Sequence, residues 1–297
     1  MTALEFIKLK QKSWAERKGF ILLPGTIVNE DGDKIYFEKI DDNIYKKLSP
    51  KNKAFFEKGQ GNETDDNCIR RAKMKSAVSS SAIAVNLFQY WQNNNNDISH
   101  LLKALRIIIK NNNTTTNATI EFENKKEIIN PETPETISTP NLDITIESKN
   151  LQHIIAIESK FTEPYSSKTQ KELSEKYNNE KLWVGLKNIK EEIYNLEDEK
   201  RKKIFKFKRL DYLQLIKHIL GLKTQHGKKF TLLYLWYDVP GTKGYEHRQE
   251  IEQFAKIVKN DGIDFRHITY QEVIFYLKEN HDSEHKDYID YLVERYL

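Results

Sequence analysis

The sequence predicts an α/β (α+β) fold, with a mixed central β-sheet flanked by helices. Three observations support this. Apolar residues recur at helical spacing near both ends of the chain, the middle switches to a two-residue alternation, and a long apolar run lies near residue 230. Helices, then strands, then alternating helices and strands are typical of one sheet with helices packed on its faces.

The first part of the chain is expected to form a helix and a β-hairpin. Apolar residues recur at helical spacing over residues 3–18. Two β-rich runs then flank Asp31-Gly32, a dipeptide that favours a hairpin turn. We therefore assign residues 1–60 to an N-terminal helical and β-hairpin region packed on the core, and residues 61–297 to the core domain.

The remaining elements follow from the same patterns. Helices are predicted at residues 50–60, 79–92, 98–110, 165–181, 209–222 (ended by Gly221), 247–262 and 271–280. Adjacent strands of one sheet are predicted at residues 118–124, 142–148, 152–160 and 229–238, with a further strand at 263–270. Residues 130–141 contain three prolines and are expected to form a loop.

Composition excludes several classes of protein. The 297 residues include 48 basic and 44 acidic side chains, and a net charge of +4 does not by itself indicate a polyanion partner. The single cysteine excludes an intrachain disulfide framework. No apolar run is long enough for a membrane span, and the N-terminus lacks the features of a signal peptide. We expect a cytoplasmic protein with no membrane association.

Three charged residues lie on two consecutive predicted strands. Asp143 begins one strand, while Glu158 and Lys160 end the next, after a short connection. An antiparallel pairing would bring Asp143 beside Glu158, and the alternation of side chains would place Glu158 and Lys160 on one face. Hard cations such as Mg²⁺ prefer carboxylate oxygens. This set would suit phosphodiester hydrolysis.

The same residues have a simpler interpretation. An acid and a lysine two residues apart are common on the solvated face of a strand. Here, however, the preceding segment HIIAI is apolar on both faces and predicts a buried strand. A charged pair that ends a buried strand needs a compensating partner, which Asp143 or a metal ion would supply.

The arrangement resembles the PD-(D/E)xK nuclease superfamily. The resemblance rests on TPNLD ending at Asp143, a gap of fourteen residues, and ESK at 158–160, although leucine replaces the proline before the aspartate. The segments GQGNE, SSSAIAVNLFQYW, IESKFTEPY, LDYLQLIKHILGL and LLYLWYD extend it over about residues 55–275 and are similar to bacterial restriction-endonuclease-like proteins. The resemblance implies a restriction-endonuclease-like core.

The resemblance also implies roles for individual residues. Asp143 and Glu158 would bind Mg²⁺, for which Mn²⁺ would substitute, and Lys160 would act on the nucleophilic water. A further metal-binding carboxylate would come from Glu63 or Glu121, with Glu63 slightly preferred. The implied activity is that of a Mg²⁺-dependent deoxyribonuclease of the restriction type that acts on double-stranded DNA. The alternatives are a repair or recombination (junction) nuclease and a non-catalytic DNA-binding protein on a nuclease-like scaffold.

Two basic runs are candidates for phosphate contacts. Residues 200–209 hold seven basic side chains interleaved with phenylalanines, and residues 68–75 form a second basic run. The candidate DNA-binding residues are Lys202, Lys203, Lys206, Lys208, Arg209, Arg70 and Arg71. The alternative for the longer run is a solvated linker that neutralises the acidic run before it. A two-fold homodimer would suit cleavage of both strands. His218, on an apolar helix, is interpreted as a packed or capping histidine.

Overall fold

The computed structural model describes residues 1–28, 32–58, 62–92, 98–110, 117–166, 173–197 and 207–297. The helices are α1 (Ala3–Arg17), α2 (Pro50–Glu57), α3 (Ser80–Gln92), α4 (Ser99–Ala104), α5 (Lys187–Glu197), α6 (Tyr212–His226), α7 (Thr242–Asn260), α8 (Tyr270–Asn280) and α9 (Lys286–Tyr296). The strands are β1 (Leu23–Pro24), β2 (Lys34–Tyr36), β3 (Thr119–Lys125), β4 (Ile128–Ile129), β5 (Thr136–Ser138), β6 (Asn141–Glu147), β7 (Ile154–Lys160), β8 (Phe230–Trp236) and β9 (Asp264–Thr269).

The central sheet has five strands in the order β3-β6-β7-β8-β9. The pairs β3–β6 and β6–β7 are antiparallel, whereas β7–β8 and β8–β9 are parallel. Every residue of β7 and β8 is buried, as expected for central strands covered on both faces. The predicted fold class and the adjacency of the four predicted strands are confirmed.

Helices cover both faces of the sheet. One core contains buried residues of α3, α4, α8 and α9 together with the start of α1, and the other contains residues of α5, α6 and α7. A smaller cluster joins Trp14 of α1 to Ile35 of β2 and to Phe37. The pairing of β1 with β2 agrees with the predicted hairpin, but residues 29–31, including Asp31, lie outside the described residues. The division of domains at residue 60 stays a prediction.

Several predicted element boundaries are wrong. The helix expected over 98–110 ends at Ala104, and Arg106 has a positive φ of 57° that ends the helical backbone. In the described part of 165–181, residues 175–177 and part of 180–183 form 3₁₀ turns rather than an α-helix. The loop expected over 130–141 includes β5, which pairs with β4. The C-terminal helix α9 has no counterpart among the predicted elements.

Helix α6 does not end at Gly221, as predicted, but continues to His226 and is followed by Gly227 at φ 60°. The glycine at 221 instead permits close packing. A Cβ atom there would lie 2.9 Å from the carbonyl oxygen of Lys126 and 3.1 Å from its Cβ. The first distance is too short for a side-chain carbon against a main-chain oxygen, so the backbone would have to move.

We expect Gly221→Ala to lower the free energy of unfolding by about 1–3 kcal/mol, because overpacking against a backbone atom outweighs the higher helix propensity of alanine. Urea denaturation would measure the change. Gln225→Ala, at an exposed position of the same helix, is the control and should have little effect. A Gly221→Ala variant as stable as the native chain would show that the contact with Lys126 is easily relaxed.

Candidate functional site

The site lies where β3 and β6 both depart from regular strand geometry. Leu142 belongs to the core on one face of the sheet and Ile144 to the core on the other, although residues two apart on a regular strand share a face. The register pairs Phe122 with Ile144 and Asn124 with Leu142, so Glu123 lies opposite Asp143. Glu123 has a positive φ of 51°. Two carboxylates therefore occur at one irregular position of the sheet.

Asp143 also reaches the neighbouring strand β7. The pairing of Ile144 with Ile157 places Asp143 beside Glu158. Its Oδ2 atom accepts a hydrogen bond of 2.7 Å from the backbone N–H of Ser159. The proximity of the two acidic residues that the antiparallel pairing predicted is therefore present. Burial and the charge of Glu158 raise the pKa of Asp143 well above its usual range.

Glu158 is fully buried and has a cationic partner for one oxygen and a histidine for the other. Its Oε1 forms an ion pair with the ammonium of Lys160. Its Oε2 lies 2.7 Å from Nε2 of His218. Burial raises the pKa of Glu158, but Lys160 and His218 outweigh it and lower the pKa to about 2. Glu158 is therefore held as a carboxylate.

Lys160 is held on the same face of β7 as Glu158. Its Nζ donates a 3.0 Å hydrogen bond to Oε1 of Gln214, one helical turn before His218 on α6. Burial lowers the pKa of Lys160, but the charges of Glu158 and Asp143 more than compensate, and the net effect raises it. Lys160 therefore retains its proton.

Two further carboxylates are coupled to this group. Burial, with the charges of Glu63 and Glu158, raises the pKa of Glu123 to about 7, although Asn141 donates a hydrogen bond of 3.3 Å to its Oε2. The carboxylate of Glu63 accepts a hydrogen bond of 3.1 Å from the Ser81 hydroxyl. It also forms an ion pair of 3.2 Å with the ammonium of Lys73. Glu63, Glu123, Asp143 and Glu158 thus form an electrostatically coupled acidic cluster.

Glu121, the other candidate from the sequence, is placed differently. It lies opposite Thr145 and its carboxylate is 3.7 Å from the ammonium of Lys51. It also accepts a hydrogen bond of 3.0 Å from Asn124. The geometry favours Glu123 over Glu121 as the carboxylate that β3 contributes to the acidic cluster. A metal-binding role for Glu63 or Glu121 stays a prediction.

The acidic cluster fits a hard divalent cation in its chemistry. All of its donors are carboxylate oxygens, the kind that Mg²⁺ prefers. Repulsion among them contributes to the raised pKa of Glu123, and a bound cation would relieve it. Within the part of the chain that the structure describes, the ammonium of Lys160 is the partner of Glu158 Oε1, and no other group donates a hydrogen bond to this oxygen. That oxygen has remaining capacity for a ligand.

The predicted DNA-binding residues are only partly described. Lys202, Lys203 and Lys206 lie outside the described residues. Lys208 is exposed, whereas Nε of Arg209 is 3.0 Å from a carboxylate oxygen of Glu246. Arg70 is exposed, and Nε of Arg71 donates a hydrogen bond of 2.9 Å to the carbonyl oxygen of Pro24. Their contacts with phosphates stay predictions.

The sequence does not assign Glu123, Gln214 or His218 to the site. His218 is buried in α6, in agreement with the packed histidine that the sequence predicts, and its ring also contacts Glu158. The available signal was the spacing of Gln214 and His218, which places two polar side chains on one face of an apolar helix. The alternation of residues along β3 does not indicate that Glu123 belongs to the site, because the backbone is irregular at this position.

Comparisons with known proteins give a family match. The model of a family described as "Restriction Endonuclease associating with ARP" matches residues 8–297. Neither the curated proteins nor the solved structures include a match to the chain. Among the residues that the structure describes, no helix has both the length and the apolar character required to cross a bilayer.

We expect Glu123→Gln to change the pH dependence of stability. Because the folded-state pKa of Glu123, about 7, lies above the value of 4.5 for an unperturbed glutamate, its stabilising contribution is present below about pH 4.5 and lost as pH rises through 7. The variant lacks this loss. The free energy of unfolding of the variant, relative to that of the native chain, should therefore increase between pH 5 and 8 by on the order of 3 kcal/mol.

Urea denaturation at several pH values would test this expectation. Glu121→Gln is the matched control, because Glu121 lies on the same strand outside the acidic cluster. Saturating Mg²⁺ should raise the stability of the native chain at pH 8 and reduce the difference from Glu123→Gln. Parallel stability curves for the native chain and the variant would contradict the electrostatic coupling of Glu123.

Proposed function

The chain belongs to the family described as restriction endonucleases associating with ARP, and on this premise we propose that it is a Mg²⁺-dependent deoxyribonuclease. It hydrolyses phosphodiester bonds in double-stranded DNA as a restriction-type endonuclease. The observation that carries the proposal is the convergence of Asp143, Glu158 and Lys160 at one place on the sheet. The acidic cluster around them supports a cation requirement.

Asp143 and Glu158 would hold the metal, with Glu123 and Glu63 as additional carboxylates of the acidic cluster. When bound, Mg²⁺ neutralises charge on a phosphoryl oxygen and lowers the pKa of a coordinated water. Asp143 is oriented by the N–H of Ser159, so this side chain is in place before any ligand arrives. Such preorganisation is what electrostatic catalysis requires.

Lys160 acts as a donor of charge and of hydrogen bonds rather than as a base. Its ammonium keeps its proton because the neighbouring carboxylates raise its pKa. In the low-dielectric surroundings of the sheet, it would orient the attacking water or stabilise negative charge that develops on the phosphate. Gln214 and His218 are positioning residues. Gln214 accepts a hydrogen bond from Nζ of Lys160, and His218 contacts Oε2 of Glu158.

The proposal extends to partners. The basic side chains of residues 202–209 and of Arg70 and Arg71 would contact phosphates without reading sequence. A homodimer with two-fold symmetry would present two sites to the two strands of DNA. The family description names an association with ARP, and we include that association in the proposal. A non-catalytic DNA-binding role is the alternative that the following experiments separate.

We expect Asp143→Asn to reduce single-turnover cleavage of plasmid DNA in Mg²⁺ by at least about 100-fold, the effect of losing one transition-state contact. The amide oxygen of asparagine can still accept from Ser159, so folding should persist. DNA binding measured in Ca²⁺ should also persist. Asp41→Asn, at an exposed aspartate, is the control. Cleavage of DNA by Asp143→Asn at the native rate would refute the proposed site. If the native chain binds DNA but does not cleave it, the non-catalytic alternative is supported.

We expect Lys160→Met to be destabilised by about 3–5 kcal/mol, because it leaves the buried carboxylate of Glu158 without its ammonium partner. The double variant Glu158→Gln with Lys160→Met removes both charges and should recover much of this stability. Cleavage should be lost in both variants. Urea denaturation and single-turnover cleavage of the two variants separate structure from catalysis. A stable double variant that cleaves DNA would assign the pair a purely structural role.

A further inference from the structure

We propose that the protein has a second metal site, formed by His100, Asp282 and His285, whose ligands suit Zn²⁺. His100 lies in α4, while Asp282 and His285 lie in the connection between α8 and α9. Helices α4, α8 and α9 pack on the face of the sheet opposite to α6, which contacts Glu158 and Lys160. The inference is therefore independent of the proposed nuclease site.

The geometry of the three side chains is close to that of a metal site. One ligand atom from each residue lies within 4.8 Å of the others. Nε2 of His100 is 3.1 Å from a carboxylate oxygen of Asp282. Tetrahedral zinc with bonds of ~2.0–2.2 Å has ligand atoms roughly 3.3–3.6 Å apart. Small side-chain rotations, mainly of the exposed Asp282, would complete the site around the buried His285.

The surroundings of His285 resemble those of a metal-bound histidine. Its Nδ1 lies 2.9 Å from the hydroxyl of Tyr90. The Tyr90 ring stacks on Tyr288 with centroids 3.7 Å apart, so that hydroxyl is firmly placed. This contact leaves Nε2 for a metal, and hydrogen bonding of the second ring nitrogen is the usual way in which a protein orients a ligating imidazole.

A fourth ligand would complete the coordination of Zn²⁺. A carboxylate oxygen of Glu284 is 3.5 Å from Nε2 of His285 and could complete a tetrahedron, or water could. Imidazole nitrogens favour Zn²⁺ over Mg²⁺, which prefers oxygen, so this site and the acidic cluster would take different ions.

The site would have a structural role. His100 and Asp282 are 182 positions apart in the chain. A metal that joins them would connect α4 to the connection between α8 and α9, and would therefore close a long loop in the folded chain. Binding free energy at such a site adds to folding stability.

The test is Zn²⁺ binding by the untagged, chelator-treated full chain, with excess Mg²⁺ present to occupy the acidic cluster. We expect one Zn²⁺ per chain by calorimetry, a higher Tm, and a tetrahedral visible spectrum when Co²⁺ replaces Zn²⁺. Asp282→Asn should weaken binding at least about tenfold, a loss comparable to that from a perturbed metal site. Asp282 is exposed, so this variant should fold normally.

Asp287→Asn is the matched control, because it removes an exposed aspartate from the first turn of α9. It should bind Zn²⁺ like the native chain. Tyr90→Phe keeps the ring but loses the hydroxyl, and should weaken binding about 10–100-fold. Equal affinities of Asp282→Asn and Asp287→Asn, or no Zn²⁺-dependent rise in Tm, would overturn the proposal and leave His100 and Asp282 as a surface ion pair.

Discussion

The ion pair between Glu158 and Lys160 is the constraint on which the site depends. Both residues belong to a central strand with every residue buried, where an unpaired charge would cost several kcal/mol. Each charge stays buried because other elements supply partners. Helix α6 provides His218 for Glu158 and Gln214 for Lys160, and β6 provides the charge of Asp143, which favours the ammonium form of Lys160. The positions of α6 and β6 are thus linked to the chemistry of β7.

The acidic cluster, in contrast, destabilises the folded chain through repulsion among its carboxylates. Four carboxylates are coupled, and burial together with mutual repulsion raises the pKa of Asp143 and Glu123. A fold optimised only for stability would not keep such a group, so the cost is better explained by a functional requirement for concentrated negative charge. The ammonium groups of Lys160, beside Glu158, and of Lys73, beside Glu63, offset part of that charge.

Sequence patterns predicted the regular parts of this arrangement. The sheet, its central strands and the proximity of Asp143 and Glu158 follow from strand alternation and a short connection between two strands. They could not predict Glu123, because its φ of 51° interrupts the alternation on which such reasoning depends. Nor could they predict the contact of His218 with Glu158, since 60 positions separate them and only packing brings α6 onto β7. The pattern places a helix end at Gly221, because sequence alone does not show that this glycine packs against the backbone of Lys126.

That close packing has a consequence for the precision of the site. Lys126 directly follows β3, which carries Glu123, and its carbonyl oxygen lies against Gly221 of α6. The same helix carries Gln214 and His218. The spacing between the two walls of the site is therefore set by main chain against main chain, with no adjustable side chain between them. For the proposed nuclease, a displacement at this remote contact would move Gln214 and His218 relative to Glu123, and a misplacement of about 1 Å far from the chemistry can already lower a reaction rate.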